Sequence, residues 1–224
     1  LRIAFSSESP SGSPTSPDCV NAVINTAKLC EQLGHHVEEA RPDYNWTSLL
    51  HAFQDYWSFG IPGRIKALEE ATGNKASADN LEPSSLVLLE HGRRLTGAQL
   101  AASWAELHSI TRIIDEFLSP YDVLITPSCL TPAPVLGDIN PNKEGLTLTD
   151  WLDQNISHFA PFTPVFNVTG HPAMSVPLHQ SSTGLPIGVQ CIGHRGAEAT
   201  LLGLAAQFEQ VNPWLVRKPL KSIF

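Results

Sequence analysis

Apolar and polar positions follow two different periods along this chain, and the change of period divides it into three regions. Residues 1–40 contain two short apolar runs on either side of a segment with helical spacing. Residues 46–118 keep the helical spacing, and residues 121–209 return to strands followed by one amphipathic helix. The pattern predicts an α/β fold, with a mixed sheet built from 1–40 and 121–209, flanked by helices.

Start and stop signals support the strand–helix–strand unit in residues 1–40. Ser16 offers a capping hydroxyl, Pro17 suits the first helical position, and Gly34 follows the last periodic residue. A strand, a crossover helix and a second strand predict parallel pairing of the two strands.

The later elements are predicted from the same kinds of signal. Thr96 and Gln99 form a capping-box pattern for a helix over 97–118, and the apolar run 121–126 reads as a strand buried on both faces. The buried face of that helix is expected to consist of Leu100, Trp104, Leu107, Ile110, Ile114 and Phe117. Strands over 173–178 and 186–192 and a helix over 198–209 follow. Loops are expected at 127–134 and 137–150, a turn at 167–170 and an extended tail over 212–220.

Composition and charge exclude several classes of partner. The 224 residues are 42% hydrophobic and carry a formal net charge of −8, so neither nucleic acid nor a membrane is expected as a partner. No apolar run approaches the roughly 20 residues of a transmembrane helix.

The start at Leu1, without Met or a signal pattern, predicts a truncated chain. Four cysteines without metal or CxxC spacing are expected to be reduced thiols in a cytoplasmic protein.

Candidate chemistry in the residues themselves is sparse. Nine histidines occur without an HExxH pattern, so no metal is expected, and the absence of a Gly-rich phosphate loop predicts no nucleotide cofactor. Residue types alone leave a Ser-His-Asp triad open, although no GxSxG elbow follows a strand. Cys129 paired with a histidine is a second open alternative for a nucleophile.

Four segments resemble the amidase signature family, in the order in which that family shows them. They are LGHHVEEA at 33–40, YDVLITPSCLTPAP at 121–134, PFTPVFNVTGHPAMSVP at 161–177 and GLPIGVQCIGHRGAEATLLGLAAQFE at 184–209. The last two are long and specific. With the ending PWLVRKP at 213–219, the chain looks most similar to bacterial amidases related to 6-aminohexanoate cyclic dimer hydrolases.

The resemblance implies the C-terminal half of an amidase domain, spanning 1–224, with 46–118 as a helical substrate funnel. Members of the family hydrolyse amides without metal or organic cofactor, using a nucleophilic Ser, a second Ser on a cis peptide bond and a neutral Lys. This chain departs from the family because it has no GGSSGGS-type segment, and its lysines do not follow the family pattern. No catalytic residue is therefore expected in it, and the chain alone is predicted to be inactive.

The resemblance also implies which residues meet a small-molecule amide substrate. The buried strand over 121–126 is expected to deliver Thr126, Ser128 and Cys129 to its carboxyl end, where α/β folds place ligands. Thr126 and Cys129 are expected to contact the substrate there, as are Asn167 and Thr169 of the NVTG segment. For Asn167 and Thr169, a role in satisfying backbone groups of a loop stays equally open.

Partners follow from the same resemblance. The N-terminal half of the same protein is expected to cover apolar surfaces of this chain, and self-association is expected without it. The alternatives are a non-catalytic ligand- or protein-binding module, or a subunit that docks on a separate catalytic half.

Overall fold

The computed structural model of the protein describes residues 1–214, which fold around one five-stranded sheet. The elements, in chain order, are β1 (Arg2–Phe5), α1 (Pro17–Gln32), β2 (His36–Glu39), α2 (Trp46–Phe59), α3 (Ile61–Thr72), α4 (Pro83–Arg94), α5 (Gly97–Leu118), β3 (Val123–Pro127), α6 (Leu148–Leu152), a π-helical turn (Asp153–Ser157), α7 (Pro164–Thr169), β4 (Ala173–Gln180), β5 (Pro186–Gly193) and α8 (Glu198–Val211).

The sheet is mixed, with the strand order β2-β1-β3-β5-β4. The strand β1 pairs in parallel with both β2 and β3, whereas β5 pairs antiparallel with β3 and β4. The predicted α/β class and the parallel pairing within residues 1–40 are both confirmed. All five residues of β3 are buried because helices cover both faces of this central strand.

Alternate residues of each central strand pack into two separate cores. Ile3, Val123 and Val189 face a core formed with α1 and α8. Ala4, Leu124 and Ile192 face the opposite core, which α2, α5 and α7 complete. Because successive side chains point to opposite faces of a strand, this division follows directly from the sequence once the strands are in register.

The predicted helix starts are confirmed by their caps. The Ser16 hydroxyl accepts a hydrogen bond from the amide of Cys19 at 3.3 Å, with Pro17 as the first residue of α1. The Thr96 hydroxyl accepts from the Gln99 amide at 3.2 Å, and the Gln99 side chain accepts from the Thr96 amide at 3.0 Å. These bonds satisfy amide groups that the first helical turn cannot pair.

Three local predictions are wrong. Trp104 is 45% exposed, because α5 is covered by α2 along only part of its length and Trp104 meets Phe59 near the surface. The expected loop 137–150 ends inside α6, which a Thr147–Asp150 capping box starts. The expected turn at 167–170 is helical as far as Thr169, and only Gly170 adopts the left-handed conformation.

The tail predicted as extended over 212–220 lies mostly outside the described residues. Trp214, the last described residue, is half-buried against the core of α1 and α8. Among residues 1–214, none of the helices is both long and apolar enough to span a bilayer.

Candidate functional site

The loops that follow β1, β2 and β3 meet at one edge of the sheet, where the parallel strands have their carboxyl ends. The Ser16 amide donates to the Leu130 carbonyl at 2.8 Å, and the Leu130 amide donates to the Phe159 carbonyl at 2.8 Å. The Ser11 hydroxyl donates to the Ser157 carbonyl at 2.6 Å, so the Ser/Pro-rich loop is tied down at this edge. This edge is where open α/β sheets usually bind ligands.

Thr126 borders a small apolar cavity at this edge, which we call the Thr126 cavity. Its volume is about 30 Å³, roughly the share of one water molecule. It is lined by Ser6, Glu8, Pro10, Arg41, Pro42, Tyr44, Leu124, Thr126, Phe162 and Phe166. An ion pair closes one side, with Arg41 Nη2 2.9 Å from Glu8 Oε1, and burial raises the pKa of the Tyr44 phenol.

Gln190 fixes the position of Thr126 from the neighbouring strand. Its Nε2 donates to the Thr126 hydroxyl at 3.1 Å and to the Phe162 carbonyl at 3.2 Å. Gln190 is only 5% exposed, so the two hydrogen bonds that its amide donates are shielded from bulk water. One side chain on β5 thus holds together two walls of the Thr126 cavity.

Cys129 borders a different and larger cavity, which we call the Cys129 cavity. Its volume is about 210 Å³. Its lining consists of Cys19, Ser128, Cys129, Thr131, Pro132, Ala133, Phe159, Pro186, Ile187 and Gly188. Burial raises the pKa of the Cys129 thiol to about 11, with a smaller contribution from Cys19. A thiol of that pKa is almost fully protonated at neutral pH, which disfavours a thiolate nucleophile.

Asn167 and Thr169 lie on α7, where they differ in exposure. Asn167 is exposed, whereas Thr169 is 4% exposed and lines neither of the two cavities. The Thr169 hydroxyl lies 2.8 Å from Nδ1 of His171, which is 5% exposed. The structure therefore brings Thr126 and Cys129 to one edge of the sheet but assigns the Thr169 hydroxyl to an internal hydrogen bond.

That internal bond belongs to what we call the Asp115 cluster, formed by Asp115, Thr169, His171 and Arg195. His171 Nε2 lies 3.2 Å from Asp115 Oδ1, and Arg195 donates to Asp115 Oδ2 at 2.6 Å and to the Thr169 carbonyl at 3.1 Å. Burial lowers the pKa of His171, against an opposing effect of Asp115. The order hydroxyl–imidazole–carboxylate matches a catalytic triad, but Thr169 is buried, so the cluster anchors α7 to α5.

A second polar cluster joins α2, α4 and α5. Asp55 accepts from the Ser103 hydroxyl at 2.6 Å and lies 2.7 Å from His91 Nε2. Here the carboxylate stands between the hydroxyl and the imidazole, so the histidine cannot take a proton from the serine. This arrangement fits an interhelical link rather than a nucleophile.

No described lysine is placed for proton transfer, and no metal-binding group stands out. Lys66 and Lys75 pair with Glu70 and Glu69 at 3.9 and 3.5 Å, with their own side chains 76% and 85% exposed. Lys28 and Lys143 are also exposed, whereas Lys218 and Lys221 lie outside the described residues. Among residues 1–214, no group of three or more His, Cys, Asp or Glu side chains has metal-binding geometry.

A larger depression lies at the opposite edge of the sheet and is a poorer candidate. It has a volume of about 510 Å³ and is lined by Arg2, Ile3, Glu31, His35, His36, Val37, Glu38 and Tyr121. It is a shallow polar groove at the amino ends of the parallel strands, whereas the two smaller cavities combine apolar walls with a few polar groups, as ligand sites do.

Sequence reasoning missed the groups that connect these elements. Gln190 had a signal, since a lone amide inside the apolar run 186–193 needs a hydrogen-bond partner. The Asp115 cluster had none, because its members are up to 80 residues apart in the chain. Distant side chains of this kind meet only through the tertiary fold.

Comparison with known proteins supplies the context for this site. The profile of the amidase family matches residues 1–202. The 6-aminohexanoate-cyclic-dimer hydrolase of Paenarthrobacter ureafaciens is 31% identical over 225 residues, covering 98% of this chain and 45% of the relative. AmiC of Mycobacterium tuberculosis, named as an amidase, is 34% identical over 200 residues, covering 89% of this chain and 41% of the relative. The chain thus spans less than half the length of these relatives.

Solved structures agree with the sequence comparison. A 6-aminohexanoate cyclic dimer hydrolase complexed with substrate matches with a TM-score of 0.82 and 29% identity, over 98% of this chain and 47% of that one. A bacterial aryl acylamidase shares the fold, with a TM-score of 0.75 and 19% identity. The match covers 98% of this chain and 46% of the acylamidase chain. The match of the family profile to most of the chain, on this mixed sheet, establishes that the chain belongs to the amidase family.

Proposed function

We propose that this chain contributes the C-terminal part of an enzyme that hydrolyses the C–N bond of a carboxamide. The observation that carries the proposal is the family match over residues 1–202, on a fold whose strand ends border two cavities with apolar walls. The proposed mechanism uses a nucleophilic Ser, a cis-Ser and a Lys that lie outside this chain. Two observations support this division: the lysines among residues 1–214 are all exposed, and the thiol of Cys129 is protonated at neutral pH.

The part of this chain in the reaction is to shape the substrate site. Thr126 and Cys129 are proposed to contact the substrate from the two cavities at the carboxyl edge of the sheet. Asn167 is proposed to reach it from the exposed side of α7. Thr169 is proposed to contribute indirectly, since its hydroxyl and carbonyl hold α7 in place through His171 and Arg195. A small uncharged amide suits the Cys129 cavity, whose lining has no charged side chain. The protein is proposed to act in the cytoplasm without cofactor.

The experiment compares two proteins with the same substrates. The first is the product of the complete gene that contains this sequence, and the second is the 224-residue chain alone. Release of amine or ammonia from a panel of aliphatic and aromatic amides is measured for both. We expect turnover by the first protein and none by the second.

A control variant separates the two possible nucleophiles. Turnover by the chain alone that disappears in Cys129→Ala would overturn the proposal in favour of a thiol mechanism. Absence of turnover by the complete gene product, across the panel, would favour a non-catalytic binding module.

A further inference from the structure

Two serine hydroxyls meet above a glycine at the border of the Cys129 cavity. Ser128 Oγ and Ser175 Oγ lie 2.8 Å apart, although Ser128 follows β3 and Ser175 lies on β4, the two strands on either side of β5. A Cβ atom added to Gly188 would lie 2.5 Å from Ser175 Oγ and 2.9 Å from Ser128 Oγ. Only glycine therefore leaves room for both hydroxyls at this point.

The hydrogen-bonding capacity of this pair is only partly used. One hydroxyl donates its proton to the other, so the second hydroxyl keeps a free proton and the first keeps free lone pairs. The pair can thus offer one donor and one acceptor side by side. The edge of a primary carboxamide presents the matching acceptor and donor, a carbonyl oxygen and an N–H group.

The adjacent cavity favours uncharged ligands. Its lining contains no Asp, Glu, Lys, Arg or His. Burial raises the pKa values of Cys19 and Cys129, so both thiols are neutral near pH 7. A carboxylate or ammonium group would lose its hydration there without an opposite charge, which is costly, whereas an uncharged apolar group would not.

We propose that Ser128 and Ser175, above Gly188, bind the edge of a primary carboxamide whose apolar substituent occupies the Cys129 cavity. The volume of about 210 Å³ equals the share of roughly seven water molecules, which is sufficient for a small aliphatic or aromatic group. A carboxylate of the same shape is excluded by its charge and by its lack of an N–H donor. The role as a substrate site rests on the proposed amidase function, whereas the binding itself does not.

The test uses the alkylation of Cys129 as the probe, since the thiol borders the cavity and no turnover is needed. Iodoacetamide and iodoacetate react with a thiolate in the same way: the sulfur attacks the methylene carbon, iodide leaves, and the thiol proton goes to solvent. They differ only in carrying a carboxamide or a carboxylate. Both rates at Cys129 are measured by mass spectrometry of the peptide that contains it. Because the reactivity of the thiol affects both rates equally, their ratio reports only on how the site distinguishes the two reagents.

We expect this ratio to be about fivefold higher in the unsubstituted chain than in Ser128→Ala, the factor that one hydrogen bond supplies. Gly188→Ala should lower it as well, because the new methyl group displaces both hydroxyls. Gly203→Ala is the matched control, since nothing lies within 4 Å of a Cβ atom at that position. None of these substitutions changes the charge of the protein, so long-range repulsion of iodoacetate stays constant.

Protection by soluble ligands provides the second measurement. Propionamide should slow the alkylation of Cys129, whereas propionate at the same concentration should not. An equal rate ratio in the unsubstituted chain and in Ser128→Ala, or equal protection by the two ligands, would overturn the proposal. These results do not depend on hydrolysis, so failure of the amidase assay and failure of this test are distinguishable.

Discussion

Asp115 offers a sharp test of how α7 is held, because one carboxylate connects α5 to both His171 and Arg195. We expect Asp115→Ala to destabilise the chain by about 2 kcal/mol. Leaving the buried Nε2–H of His171 without an acceptor costs about 1–3 kcal/mol. The ion pair with Arg195 adds about 0–1 kcal/mol, since the two side chains are 49% and 38% exposed and solvent screens their attraction.

The assay is urea unfolding at pH 7.5, followed by far-UV circular dichroism. Glu116→Ala is the matched control, because Glu116 is the next residue of the same helix and its side chain is exposed. We expect this control to change the free energy of unfolding by less than about 0.5 kcal/mol. Asp115→Asn should fall between the two, since an amide oxygen can still accept from His171 but carries no charge for Arg195.

Equal free energies of unfolding for Asp115→Ala and Glu116→Ala would refute the reasoning. Such a result would mean that His171 finds another acceptor or water when the carboxylate is removed. A loss in Asp115→Ala that does not recover in part in Asp115→Asn would assign the effect to the charge rather than to the hydrogen bond.

Three further predictions concern the packing around two glycines, the protonation of His171 and the self-association of the chain. Gly92→Ala should destabilise the chain by about 1–3 kcal/mol, because its methyl group would overlap the Ser58 carbonyl and Pro62. Gly203→Ala should stabilise it by about 0.5–1 kcal/mol, because nothing lies within 4 Å of the new methyl group and alanine favours a helix more than glycine does. Urea unfolding measures both changes. The free energy of unfolding should fall as the pH drops below 6.5, because the lowered pKa of His171 means that the unfolded chain takes up a proton more readily than the folded chain. His171→Asn should make the free energy of unfolding less dependent on pH, as measured by urea titrations between pH 7.5 and 5.5. The chain alone should self-associate as its concentration rises, and a constant monomer mass in light scattering would contradict this.

The exposed apolar side chains give the last of these predictions its physical basis. Tyr56, Trp57 and Phe59 on α2 are 48%, 39% and 50% exposed, and Leu202 on α8 is 68% exposed. Water contact with large apolar groups is unfavourable, so these faces favour coverage by another polypeptide surface.

The elements of this protein could be predicted from local sequence because their signals are local. Ser16 and Thr96 each cap a helix through an amide three residues away, and β3 combines a continuous apolar run with a following proline loop. The exposure of Trp104 could not be predicted in this way. The helical period places Trp104 near the buried face of α5, but whether a neighbour covers it depends on where α2 ends.

The candidate site, like the fold, could be predicted from the sequence only in part. The end of the buried strand β3 was sufficient to bring Thr126 and Cys129 to the carboxyl edge of the sheet, and their contact with a substrate stays a prediction. It could not show that they border separate cavities, nor that the Thr169 hydroxyl is held by His171.

The sequence by itself determined the family, the five strands, the helices α1, α5 and α8, and the absence of a GGSSGGS-type segment. These properties depend on residues close together in the chain or on motifs matched in order. Only the tertiary structure decided which distant side chains meet: Asp115 with Arg195, Gln190 with Thr126, and Ser128 with Ser175 above Gly188. The physical reason is that such contacts depend on strand register and helix packing, which place residues 47 to 80 positions apart within hydrogen-bond distance.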